Sequence, residues 1–307
     1  MSDNETLNAE LITCGRELPL DERFCYRAIR TVTYKTTPQK TLDLQIHFPH
    51  DWRPSDRRPA IVFFFGGGLQ DGTPEQFTRQ AVYLAGKGMV AVRADYRVMP
   101  KHNVTADRCV ADAKSAIRWV RSHAAGYGID PDRIVASGGS SGGFLAGATG
   151  ILPDFDEPEE DLAISSKPNL MALFNPAFGV HCRVVPRRTG TDAALDDILS
   201  RTAAPNAELA QRLDNTAHLT TEVVPMWIWF GTNDSILGFA RPFLDKASAL
   251  NCPMTLHLTE GADHGCFNDY MPAYRETLAS LAAFLEKMGY LESQPERDPG
   301  AGHLQAT

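Results

Sequence analysis

The residues with the plainest chemical potential lie in Ile134-Val135-Ala136-Ser137-Gly138-Gly139-Ser140-Ser141-Gly142-Gly143-Phe144. This is an apolar run, a turn of small residues, and the start of a second apolar run. Gly138-x-Ser140-x-Gly142 is the pattern in which a strand-to-helix turn carries a serine at a strained backbone position. Its neighbours two residues away must be small, so that the chain can pass close to itself. A serine so placed presents its Oγ at a helix N-terminus, where backbone amides and the helix dipole favour developing negative charge. That is the chemistry of a nucleophile. The pentapeptide alone is equally compatible with a glycine turn that binds phosphate or nothing. It is also degenerate, because Gly139-x-Ser141-x-Gly143 satisfies the same pattern one residue later.

A nucleophilic serine needs a base and a group to orient that base. Trp227-Ile228-Trp229-Phe230-Gly231-Thr232-Asn233-Asp234 is an apolar strand running into a polar turn, which places Asp234 at the strand's carboxyl end. Leu256-His257-Leu258-Thr259-Glu260-Gly261-Ala262-Asp263-His264 is the next strand, followed by a loop that holds His264. His264 can take the serine proton, and Asp234 can fix its tautomer. The order Ser…Asp…His is that of the α/β-hydrolases. His257 is the rival base but lies mid-strand, and Asp263 suits a loop hydrogen bond better than the role of orienting acid. Upstream, Phe65-Gly66-Gly67-Gly68 ends another apolar strand. Backbone N–H groups of Gly67 and Gly68, with that of Ser141, are candidate donors to a tetrahedral oxyanion.

These groups require a scaffold of strands. Ile29–Lys35 and Thr41–Phe48 read as strands around a Thr-Thr-Pro turn, and Asp51–Pro59 as a loop. Ala60–Phe65 is a continuous apolar run, as expected of a strand buried on both faces. A helix over about 74–87 leads to the strand Met89–Asp95. Another over about 105–125 leads to Arg133–Ser137, and a third begins after Ser140. Further strands are expected at Asn169–Asn175, Pro225–Phe230 and Met254–Thr259, with a helix at Pro272–Lys287. This alternation implies a mostly parallel central sheet flanked by helices. Residues 178–222 break the rhythm and are expected to form a helical excursion over one end of the sheet. Residues 1–28, mixed and polar, read as a helical N-terminal arm, 29–290 as the main domain, and 291–307 as a disordered tail.

Composition narrows the functions. The 307 residues carry 38 acidic and 30 basic side chains, a formal charge of −8, which disfavours binding to nucleic acid. No apolar run approaches the roughly 20 residues that span a bilayer. The acidic start, Met-Ser-Asp-Asn-Glu-Thr, is unlike a signal peptide, so a cytoplasmic location is expected. The six cysteines form no C-x-x-C pair and read as free thiols. Nine histidines show neither H-E-x-x-H nor close pairing, so a metal is not expected. A homo-oligomer is compatible with this composition.

Taken together the motifs resemble α/β-hydrolase-fold serine carboxylesterases of the hormone-sensitive-lipase-like and acetylxylan-esterase-like group. The resemblance runs through most of residues 41–288. It rests on Phe65-Gly66-Gly67-Gly68, Asp95-Tyr96-Arg97, Asp112 with Ala116 and Trp119, and Ile129-Asp130-Pro131-Asp132-Arg133-Ile134. It rests equally on Gly138–Gly143, Gly231-Thr232-Asn233-Asp234 and His264-Gly265-Cys266-Phe267-Asn268. It implies a Ser140–His264–Asp234 triad that cleaves a short-acyl ester of a small molecule through an acyl-enzyme, without a cofactor. It also selects Ser140 over Ser141, because the family's serine precedes a small residue and two glycines. Ser141 then contributes its backbone and its side chain is dispensable. Asp95, Arg97 and Asp112 are expected to make sheet-to-helix ion pairs.

The chain departs from the group in three places. Phe65 replaces the usual histidine before the glycines, so packing is expected to order that loop. Leu69-Gln70 stands where an aromatic usually follows, and Cys266 where another aromatic is common. Two other functions fit the same residues. One is a biosynthetic α/β-hydrolase dedicated to deacylation, cyclisation or bond cleavage of one metabolite. The other is a non-catalytic binding module on the same fold, although such modules typically lack a triad member.

Overall fold

The computed structural model describes residues 6–8, 29–179 and 207–292. The rest of the N-terminal arm, most of the 178–222 excursion and the tail from 293 lie outside the described residues. Within the arm, Thr6–Asn8 is a strand (β1) rather than helix.

Strands β2 (Ile29–Thr36) and β3 (Thr41–His47) form the expected hairpin. Then follow β4 (Arg58–Phe64), α1 (Thr78–Gly86), β5 (Val90–Ala94), a one-turn α2 (Met99–His102) and α3 (Ala106–Ser122). Strand β6 (Ile129–Gly139) runs into α4 (Ser141–Ile151), and β7 (Leu170–Phe174) follows. Beyond the undescribed stretch come two short helices, α5 (Ala207–Arg212) and α6 (Asn215–His218). The chain continues through β8 (Met226–Gly231), α7 (Leu237–Ala249), β9 (Met254–Thr259) and α8 (Tyr274–Lys287). Helix α7 was not expected. Pro242 stands inside it, and a proline removes one helical hydrogen bond and disguises the pattern.

Among the described residues the strands form one sheet in the order β1-β2-β3-β5-β4-β6-β7-β8-β9. The pairings from β1 to β5 through β3 are antiparallel, and those from β5 to β9 are parallel. Successive side chains of β4 alternate between two apolar layers. Val62 and Phe64 pack with residues of α3, α4 and α7, whereas Ile61 and Phe63 pack with residues of α1 and α8. Helices on both faces are why β4 reads as unbroken apolar sequence. At the margin of the sheet Arg97 forks onto the fully buried Asp112 with two bonds of 2.8 Å, and Lys35 approaches the same carboxylate at 2.8 Å. Asp95 pairs with Lys40. Arg97 and Lys35 thus tie the strand layer to α3, as the sequence suggested, whereas Asp95 pairs with the β2–β3 turn and not with a helix.

The strand order places one end of the sheet under strong constraint. After β4 the chain adds β5 on one side and β6 on the other, so the loops leaving β4 and β6 diverge and open a crevice between them. Open α/β sheets bind ligands at such switch points, outside the carboxyl ends of their strands.

Candidate active site

Register brings the chemically interesting residues to that crevice. Phe64 pairs with Gly138, Gly139 with Phe174, Phe174 with Trp229, and Gly231 with Thr259. The segments that continue past these residues hold Gly66–Gly68, Ser140, Asn175, Asp234 and His264. Five separate stretches of sequence thus converge on one edge of the sheet.

Ser140 has φ 56° and ψ −121°, a positive φ that is rare outside glycine. The turn closes tightly because two glycines flank it. A Cβ on Gly138 would lie 2.4 Å from the Gly142 carbonyl oxygen, and one on Gly142 would lie 2.1 Å from that of Phe64. Neither position admits a side chain without moving backbone. The turn is also held from β7: the Ser140 N–H donates to Phe174 O at 3.0 Å, and the Ala177 N–H donates to Ser140 O at 3.1 Å.

His264 Nε2 lies 3.0 Å from Ser140 Oγ, and its Nδ1 lies 2.9 and 3.0 Å from the two carboxylate oxygens of Asp234. The Asp234 side chain is wholly buried, and its Oδ1 also accepts the Ile236 N–H at 2.8 Å. A buried carboxylate facing one imidazole nitrogen favours the tautomer with hydrogen on Nδ1, leaving Nε2 free to accept a proton. His257 is elsewhere, bonded to Glu276 at 2.9 Å on the edge strand β9. Asp263 is exposed, and its backbone carbonyl accepts from the Cys266 thiol.

The glycine loop after β4 is ordered by packing at Phe65, as expected, and also by polar contacts that the sequence did not reveal. Phe65 is buried and stacks on Tyr96 with ring centroids 4.0 Å apart, and the Tyr96 hydroxyl donates to Phe65 O at 2.7 Å. Gln76 Oε1 accepts the Gly66 N–H at 2.6 Å. Ser141 Oγ accepts the Leu69 N–H at 3.1 Å. The Ser141 side chain therefore has a structural task that the sequence reading denied it. Gln76 was missed altogether, because a glutamine ten residues past a glycine carries no motif. Among the described contacts none engages the N–H of Gly67 or Gly68, and the φ of +129° at Gly67 suits only glycine.

In front of Ser140 opens a cavity of about 910 Å³ walled largely by apolar groups, among them Leu69, Phe144, Phe178, Ile236, Phe239 and Phe267. Cys266, beside the histidine loop, is buried, and burial pushes its thiol up to about 12. It is chemically quiet at neutral pH. Among the described residues no cluster of three His, Cys, Asp or Glu side chains could hold a metal ion.

The family profile described as BD-FAE matches residues 44–242. The chain belongs to this family. It is an α/β-hydrolase-fold protein of the hormone-sensitive-lipase-like esterase group. Among curated relatives, Esterase LipC of Mycobacterium tuberculosis is 26% identical over 280 residues, covering 87% of this chain and 66% of the relative. Probable carboxylic ester hydrolase LipM of the same organism is 28% identical over 208 residues, covering 64% of this chain and 47% of the relative. The chain thus spans about half to two thirds of the length of these relatives. Apo Thermogutta terrifontis esterase 2 is 42% identical, with a TM-score of 0.76 over 86% of this chain and 96% of that one. That esterase is also known phosphonylated by sarin, with propionate bound and with butyrate bound. No helix among the described residues is long and apolar enough to cross a membrane.

Proposed function

We propose that this BD-FAE family member is a serine hydrolase that cleaves a short-acyl carboxylic ester of a small molecule. The observation that carries this reading is the unbroken line of contacts from Ser140 Oγ through His264 to Asp234.

In this mechanism Ser140 Oγ attacks the ester carbonyl while His264 Nε2 takes its proton. The imidazolium that forms keeps its Nδ1 hydrogen on Asp234, whose buried charge offsets the new positive charge. The carbonyl oxygen becomes an oxyanion and accepts hydrogen bonds from the N–H groups of Gly67, Gly68 and Ser141. Each such donor contributes on the order of 3–4 kcal/mol to lowering the barrier. Collapse of the intermediate expels the alcohol, which leaves with the proton held on His264 Nε2. Water then attacks the acyl-enzyme by the same sequence, with His264 again as base, and the acid is released.

The cavity supports a small, largely apolar substrate, since about 910 Å³ is the size of a site for one small molecule. Propionate and butyrate bound to the Thermogutta relative support a short acyl group. The test is hydrolysis of p-nitrophenyl acetate, butyrate and octanoate, together with mass spectrometry after fluorophosphonate treatment. We expect turnover that favours the two shorter esters and one adduct on Ser140. Absence of turnover with all three esters, with no adduct on Ser140, would refute the assignment.

A further inference from the structure

We propose that Asn175 is a positioning residue that holds the ring of His264 between Ser140 and Asp234. The inference rests on the triad reading above and adds a residue that neither the motifs nor that reading contains.

Asn175 follows β7 directly and is fully buried. Its Nδ2 lies 2.7 Å from His264 Nδ1 and 3.5 Å from Nε2, so the amide lies along the imidazole rather than at one corner; Nδ1 already donates its hydrogen to Asp234, so Nδ2 cannot donate to it. Its Oδ1 is buried with no hydrogen-bond partner. A half-turn of the amide answers both, placing the acceptor Oδ1 beside the Nδ1 hydrogen and leaving no buried oxygen unpaired. The backbone is equally unusual. Asn175 has φ 32° immediately before Pro176, where the left-handed region is uncommon and asparagine is among the few residues that enter it.

The surroundings explain what this arrangement achieves. The residue before Asn175 accepts the Ser140 N–H, and Ala177 donates to the Ser140 carbonyl. The Asn175 N–H donates to Trp229 O at 2.6 Å, in the strand that leads to Asp234. One short turn therefore grips the nucleophile's backbone, the strand that leads to the acid and, through the amide, the base. His264 needs such a hold. It stands on a loop bounded by Gly261 and Gly265, both at positive φ, and its side chain is 32% exposed. Asp234 fixes only the Nδ1 corner, about which the ring can swing away from Ser140 Oγ. A second contact along the ring restricts that swing.

The experiment compares the wild type with Asn175→Ala and Asn175→Leu, the latter filling the same space without an amide. Three quantities are read: the rate of fluorophosphonate labelling at Ser140, kcat and KM for p-nitrophenyl acetate, and the melting temperature. We expect labelling and kcat to fall together, by about 10- to 100-fold in both variants, as for a reacting group displaced by a fraction of an ångström, with KM within about twofold. In the wild type, NMR should give through-space contacts between the Asn175 side-chain amide protons and the His264 ring. A leucine variant that labels at the wild-type rate overturns the proposal, and so does absence of those contacts, even if both variants fail to fold. A wild type that labels at Ser140 yet hydrolyses no ester sinks the proposed reaction and leaves the role of Asn175 standing.

Discussion

Replacing Gln76 by methionine tests whether a single side-chain contact holds the proposed oxyanion loop in working order. Methionine keeps the length and flexibility of glutamine but offers no comparable acceptor. In the wild type Gln76 Oε1 takes the Gly66 N–H at 2.6 Å, and Gly66 is itself buried. A buried donor left without an acceptor costs about 1–3 kcal/mol, which the loop can relieve only by moving. A movement of the loop displaces Gly67 and Gly68, whose N–H groups are the proposed oxyanion donors. If most of that energy reappears in the transition state, at about 1.4 kcal/mol per factor of ten, kcat falls by roughly 10- to 100-fold. Complete loss of one donor sets a ceiling near 10³-fold. Gln76 and Gly66 both line the cavity, but most of its apolar wall comes from other elements, so KM should stay within about twofold. Steady-state hydrolysis of p-nitrophenyl acetate measures both constants. A methionine variant with kcat within twofold of wild type would show that Phe65 and Tyr96 order the loop without Gln76, and the argument would be wrong.

Other substitutions probe the remaining parts of the site. Ser140→Ala should abolish fluorophosphonate labelling, whereas Ser141→Ala should still label at Ser140. The latter should melt several degrees lower, because the buried Leu69 N–H loses its acceptor, at about 1–3 kcal/mol; labelling that survives in Ser140→Ala would move the nucleophile to Ser141. His264→Ala should lower kcat by several orders of magnitude while His257→Ala, whose ring is bonded to Glu276, stays within about twofold. Comparable severe losses in both would reassign the base. His47 is buried beside Arg93, and burial, with that neighbouring charge, lowers its pKa to about 3. The unfolded chain therefore takes up a proton near pH 6.5 that the folded chain refuses, so this contribution to stability is full above that pH and declines as pH falls toward 3. Between pH 6.5 and 5 the loss is about 2 kcal/mol. Urea melts should find a shallower pH dependence in His47→Gln, and parallel curves would show that His47 does not carry it.

The parts of the site that were legible in the sequence are those whose geometry excludes most residue types. Gly138 and Gly142 are small because a Cβ at either would strike backbone, so the turn leaves a readable mark. Strands β4 and β8 are buried on both faces, and their unbroken apolar runs point to the polar residues that follow. What was missed depends on contacts between distant segments. Gln76 and the Ser141 hydroxyl act through one hydrogen bond each, to a loop that only the folded sheet brings near. Asn175 looked like the end of a strand, and nothing in an Asn-Pro pair announces a histidine 89 residues away. Helix α7 was hidden by Pro242.

Backbone accounting explains how the loop can dispense with the histidine that usually precedes its glycines. The Phe65 carbonyl accepts from Tyr96, the Gly66 N–H is taken by Gln76, and the Leu69 N–H by Ser141. The Leu69 carbonyl accepts from the Met99 N–H at 2.8 Å. Buried backbone groups must find partners, and here the groups at both margins of the loop have found them. The N–H groups of Gly67 and Gly68, with no partner among the described contacts, lie between those anchored margins, and the two glycines are more exposed than Gly66 and Leu69. Anchored ends with unengaged donors between them are what electrostatic stabilisation of an oxyanion requires, since donors already in place need no reorganisation when charge develops. An aromatic residue at position 65 therefore removes no donor from the site. It replaces one way of fixing the loop with another, in which stacking on Tyr96 secures the strand end and two side chains from separate elements secure the turn.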